Sequence, residues 1–181
     1  MYLRRTALVA AALATTLLTG CASVATMSDA EKLQAITENG PEGTARVYVY
    51  RDHMFGAALY KDVYIDGKCL GESAPDTFFY ADVEGGKNHW ISTESEFSPN
   101  HLYFYAESGK KYYFQQAIRL GLFVGGAVIT QVDPETGKNA VYKCSLAVPG
   151  TCSSAQEILL PDGTGAKQPN KPAIDNLSIN Y

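Results

Sequence analysis

From Thr44 onward, polar turns cut the chain into short β-prone runs, and that pattern leaves few folds open. Arg46-Val47-Tyr48-Val49-Tyr50-Arg51 alternates and is rich in β-branched and aromatic residues. A second run, Ala58 to Ile65, ends at Asp66-Gly67, a two-residue hairpin signal, and Cys69-Leu70-Gly71 is its short return. Thr77 to Val83 and Asn88 to Glu94 flank Glu84-Gly85-Gly86-Lys87, and His101 to Glu107 and Lys111 to Ile118 flank Ser108-Gly109-Lys110. Leu122 to Val132 and Asn139 to Cys144 flank Pro134-Glu135-Thr136-Gly137. Gly121, Gly125 and Gly126 inside an apolar run predict a bent core strand. The spacing predicts an all-β protein, an antiparallel β-sandwich of about eight short strands.

The N-terminus is of another kind. Arg4 and Arg5 precede an uncharged run, Thr6 to Leu18, of signal-peptide length and too short to span a bilayer comfortably. Leu18-Thr19-Gly20-Cys21 follows and resembles the lipobox of bacterial lipoproteins. Its small residues let an extended backbone enter a peptidase. The Cys21 thiol takes a diacylglyceryl group, and Cys21 becomes the acylated (palmitate-bearing) new N-terminus. Two or three acyl chains anchor stably where one does not. Ala22 follows Cys21 in place of the Asp that marks inner-membrane retention. The expected location is therefore the cell envelope, on the outer membrane facing the periplasm.

Cleavage before Cys21 leaves 161 of the 181 residues, with thirteen basic and nineteen acidic side chains, a net charge of −6. No basic run offers itself to nucleic acid. Ser28 with Glu31 forms a capping box for a short helix to about Thr37, which either lies against the domain or serves as a spacer. The expected organisation is a signal peptide at 1–20, a lipidated tether and helix at 21–43, the β-sandwich at 44–160 and a flexible tail at 161–181. Export permits disulfides. Cys144 and Cys152 flank a Pro149-Gly150 turn, so the expected bridge is Cys144–Cys152, leaving Cys69 free and buried.

The search for chemistry returns little. His53, His89 and His101 form no metal-ligand pattern, no CxxC is present, and no GxSxG marks a nucleophile elbow. No catalytic residue, metal site or cofactor is assigned. Glu94 and Glu96 share a strand face if the strand continues, and they are the acidic pair on which an envelope hydrolase would rely. The eleven tyrosines after Cys21 are the unusual feature. Tyr48 with Tyr50, and Tyr103 with Tyr105, fall on single strand faces and suggest an aromatic binding face.

Two sets of residues carry a family resemblance. Val47-Tyr48-Val49-Tyr50-Arg51, Val63-Tyr64-Ile65-Asp66-Gly67-Lys68 and Gly71-Glu72 form the first, with Ser92-Thr93-Glu94-Ser95-Glu96-Phe97 and Phe123-Val124-Gly125-Gly126-Ala127 as the second. Over about residues 44–143 the chain resembles a bacterial lipoprotein family built on a single domain of unknown function, number 2846 in that series. A looser likeness joins the hairpin and the Glu84-Gly85-Gly86-Lys87 turn to small surface β-domains with a Pro-Glu-Gly-Ala signature. Both imply a compact β-sandwich, and neither supplies a catalytic residue. The expectation is a non-enzymatic, membrane-attached module that binds an envelope protein or cell-wall glycan. A hydrolase and a purely structural domain are the alternatives.

Overall fold

The computed structural model describes residues 20–154 and 158–162. Most of the expected signal peptide and most of the expected C-terminal tail lie outside the described residues. The elements are α1 (Asp29–Thr37), β1 (Thr44–Arg51), β2 (Lys61–Ile65), β3 (Lys68–Ser73), β4 (Thr77–Glu84), β5 (Lys87–Thr93), β6 (Asn100–Ala106), β7 (Lys111–Arg119), β8 (Gly126–Val132), α2 (Pro134–Lys143) and β9 (Ser145–Leu146). One sheet runs β8-β7-β1-β4-β9, and the other runs β3-β2-β5-β6. Most pairings are antiparallel; β1 with β7 and β4 with β9 are parallel. The expected sandwich is present, with two short helices added. Among the described residues no helix is long and apolar enough to cross a membrane.

The period-2 alternation of β1 explains the layering. Val47 and Val49 point between the sheets, where they meet Val63, Leu70, Phe79, Ile91, Phe104 and Phe114. Tyr48 and Tyr50 point the other way, into a second apolar layer with Ala35, Ile36, Phe78, Tyr113 and Val141 beneath the helices. Tyr48 stacks on Tyr113 with ring centroids 4.9 Å apart. Its hydroxyl donates to the Ala35 carbonyl at 2.8 Å. Tyr48 and Tyr50 do share a face, but the helices cover it.

The capping box forms as read. The Ser28 side chain accepts from the Glu31 main chain, and Glu31 accepts from the Ser28 main chain at 2.8 Å. The helix lies against the sheet, the first of its two expected roles. Arg46 holds it there. Its guanidinium is bidentate on Asp82, with both bonds at 2.8 Å, and also donates to the carbonyls of Ala35 and Glu38. The segment before the helix is equally fixed. Met27 N–H donates to Leu146 O at 2.8 Å and Val148 N–H to Ala25 O at 2.9 Å, around an antiparallel bridge between Thr26 and Ala147.

Three expectations are corrected. Residues 134–143 form α2, not a turn and a strand. Asp133 caps it by accepting from Glu135 and Thr136 N–H, Pro134 fits the first turn, and Ala140 and Val141 bury the inner stripe. The strand expected from Leu122 begins only at Gly126, because residues 120–125 form a loop. Finally, the disulfide joins Cys69 to Cys152, with Cα atoms 6.0 Å apart, and Cys144 is a free, buried thiol. Cys144 ends α2 and packs outside the first sheet. Cys69 and Cys152 pack with Tyr64, Ile158 and Leu160 in a separate cluster against the second sheet. The sandwich separates the two thiols that sequence proximity suggested pairing.

Candidate functional site

The register of β5 with β6 sets Asn88 opposite Tyr105, Trp90 opposite Tyr103 and Ser92 opposite His101. These residues alternate with the inward-facing Ile91, Leu102, Phe104 and Ala106, so they form the outer face of the second sheet. Tyr103 and Tyr105 are each 54% exposed. Trp90 lies beside Tyr103 at 4.5 Å between centroids and edge-on to His101 at 6.2 Å. The result is a row of rings with hydrogen-bonding groups between them.

Trp90 and His101 are held from behind. Trp90 Nε1 donates to Asp162 at 3.1 Å, and its main-chain N–H donates to Asp66. Ser92 Oγ and His101 Nδ1 are 2.7 Å apart, and burial holds the His101 imidazole below the usual histidine range, hence neutral at pH 7. Asp66 also contacts His89 Nδ1 at 2.7 Å, and that hydrogen bond raises the His89 pKa. Its Nε2 lies 2.8 Å from the Glu84 carbonyl, which fixes the hairpin bearing the row.

Of the four tyrosines singled out from sequence, Tyr103 and Tyr105 belong to this face and Tyr48 and Tyr50 do not. The latter are each 1% exposed, so the face cannot be common to all four. Alternation alone puts both pairs on single strand faces; it does not reveal which face a helix covers. Trp90 and His101 were missed as members because their place depends on cross-strand register. The short connection at Ser98-Pro99-Asn100 was the available signal.

Glu94 and Glu96 serve different neighbours. Glu94 lies 3.4 Å from Lys61 Nζ. The Glu96 carboxylate accepts main-chain N–H groups from Leu122, Phe123 and Val124, the last at 3.1 Å. Burial raises its pKa, but these donors outweigh that and hold it below the usual carboxylate range. Asp62 is the more perturbed acid: burial pushes its carboxyl up to about 6, although Tyr64 Oη and Ser154 N–H donate to it. Among the described residues no group of three or more His, Cys, Asp or Glu is arranged to hold a metal ion. A hollow of about 220 Å³ opens between β7, β8 and the start of α2, beside Lys111, Tyr113, Gln131 and Pro134. Lys111 donates away from a ligand there, to the Ile36 carbonyl at 3.0 Å.

The strands that build this face coincide with a known family. A family described as "Protein of unknown function (DUF2846)" matches residues 41–127. A protein of Haemophilus influenzae, described as uncharacterized, is 49% identical over 133 residues, which are 73% of this chain and 79% of that one. The chain belongs to the DUF2846 family. No solved structure matches it. The DUF2846 match spans β1 to β7 and reaches the first residues of β8, so it includes the aromatic row and Cys69. Cys152 and α2 lie beyond it. The disulfide thus clips a segment outside the matched region onto a strand inside it.

Proposed function

We propose that this protein is a lipoprotein of the cell envelope, attached through lipid on Cys21 and facing the periplasm from the outer membrane. In this reading it is a non-enzymatic module that binds cell-wall glycan on the outer face of β5 and β6. The row Trp90, Tyr103 and Tyr105, with Asn88 and His101 beside the rings, carries the proposal. Flat rings cover the apolar faces of sugars, and the neighbouring amide and imidazole groups answer their hydroxyls. Trp90 is pinned by Asp162 and Asp66, so little ordering entropy remains to be lost on binding. The disulfide supports an exported location, because such bonds persist in oxidising compartments. Exposure of Cys21 supports access of modifying enzymes to its thiol.

The test is co-sedimentation of the full-length lipoprotein with purified cell-wall sacculi. Replacing Tyr103 and Tyr105 with Ala should abolish retention while leaving the unfolding midpoint within experimental error. Undiminished retention would remove this face from consideration. Crosslinking from Tyr103 in living cells that captures a protein in place of wall fragments would make the partner an envelope protein.

A further inference from the structure

Three loops meet at the end of the sandwich where Cys21 emerges. Ala22 N–H donates to the Ala57 carbonyl at 2.7 Å, and Tyr60 Oη both receives from Ser23 N–H and donates to Ser23 O. Loop 52–60 therefore holds the residue next to the lipobox cysteine. Its Gly56 is in the left-handed region, with φ +70°, and packs so closely on Ile118 that a Cβ would lie 2.7 Å from Cγ2. Leu59 packs likewise against Gly125. Loop 120–125 is in turn tied to loop 94–99 by the three amides donating to Glu96.

These loops expose large apolar side chains. Leu120 is 87% exposed, Phe123 81%, Leu122 76% and Phe97 75%, with Met54 and Phe55 each more than half exposed. They are too many and too close together for scattered surface apolar residues. Of the carboxylates in these loops, Glu96 is turned onto main-chain amides, Asp52 accepts from Gln115 Nε2 at 2.9 Å and Glu94 lies 3.4 Å from Lys61 Nζ, while Arg51 is buried with its guanidinium on the carbonyls of Gly56 and Leu59, at 2.7 Å each. Arg119 stands exposed at the rim, placed to meet anionic headgroups.

The geometry points to a membrane-docking surface: the apolar tips of loops 52–60, 94–99 and 120–125 insert into the interfacial region of the bilayer that holds the Cys21 lipid. The inference rests on the lipid anchor proposed above. A lipid on Cys21 enters the bilayer at that residue, and residues 22–27 are bonded to the domain, so no free tether separates the loops from the surface. Side chains at such a boundary reach about 5–10 Å into it. The domain is thereby oriented on the membrane, with the β5–β6 face turned sideways to the periplasmic space.

The test replaces Phe123 with Trp in the full-length lipoprotein and reconstitutes it in phosphatidylethanolamine–phosphatidylglycerol vesicles containing brominated acyl chains. The Phe123→Trp protein should lose most of its added emission, several-fold more than wild-type Trp90 loses, with a blue shift that appears only with vesicles. Mass spectrometry of the N-terminal peptide reports the lipid separately. A lipidated Cys21 with an unquenched Trp at 123 would overturn the docking surface and leave the anchor intact. Quenching without lipid on Cys21 would uphold the surface and refute the anchor. A concentration-dependent blue shift without vesicles would assign the patch to a second copy of the chain and overturn the inference.

Discussion

The main-chain N–H of Ala22 lies 2.7 Å from the carbonyl of Ala57, so the residue after Cys21 is part of the folded domain. Attachment at Cys21 would thus position the whole sandwich as well as retain it.

The loop that receives Ala22 depends on Arg51. This side chain is fully buried, burial lowers its pKa, and it donates to the carbonyls of Gly56 and Leu59. Arg51→Ala leaves both carbonyls without their donor and opens a cavity beneath the loop. The expected loss is about 3 kcal/mol in urea unfolding. Hydrogen exchange at Ala22 should rise with it, and an unchanged Ala22 amide would show that the loop holds without the arginine.

Thiol counting tests the disulfide. With Cys21 lipidated as proposed, the folded protein should present no reactive thiol, because Cys69 and Cys152 are joined and burial pushes the Cys144 thiol up to about 12. Unfolding without reductant should reveal one thiol, on the peptide containing Cys144. The label on Cys69 would instead support a Cys144–Cys152 bridge. Replacing both Cys69 and Cys152 with Ala should cost about 4.5 kcal/mol, the loop-entropy value for a closure spanning 83 residues.

Two groups each contribute stability that is lost as pH rises, in separate windows. Asp62 has a folded pKa of about 6 against about 3.9 when unfolded, so the folded state binds the extra proton. Its contribution is lost between about pH 4 and 6 and amounts to about 3 kcal/mol. His89 has a raised folded pKa through Asp66, so its contribution is complete below about 6.5 and is lost as pH rises through the folded value. Asp62→Asn should flatten the acid window and raise the unfolding midpoint at pH 7. His89→Gln should flatten only the upper one. A profile unchanged by Asp62→Asn would mean that another group titrates there.

Much of the fold was legible in the sequence, and the misses share a physical cause. The alternation in β1, the Asp66-Gly67 hairpin and the Ser28–Glu31 capping box are local signals, and local hydrogen bonding decides them. Helix α2 was also locally encoded, by Asp133, Pro134 and Glu135, but Pro134-Glu135-Thr136-Gly137 reads equally well as a turn when strands surround it. The disulfide and the burial of Tyr48 and Tyr50 depend on which faces the helices and Cys152, Ile158 and Leu160 cover. That is set by tertiary packing, for which spacing along the chain holds no information. Tyr103 and Tyr105 were found by period-2 reasoning, and among the described residues the outer face of β6 leaves both more than half exposed.

Glu96 organises the loop that carries Phe123. Glu96→Gln keeps the shape and removes the charge that three amides address. Exchange at the Leu122, Phe123 and Val124 amides should quicken while β7 and β8 stay protected. Uniform protection would show that the loop is held by its packing on Leu59 and Ile118 alone.

The most direct measurement is the mass of the N-terminal peptide of the protein isolated from cell membranes. The account predicts a chain that begins at Cys21 and carries a diacylglyceryl group on sulfur, absent from a Cys21→Ser protein. A soluble chain retaining residues 1–20, or one beginning elsewhere without lipid, would contradict it.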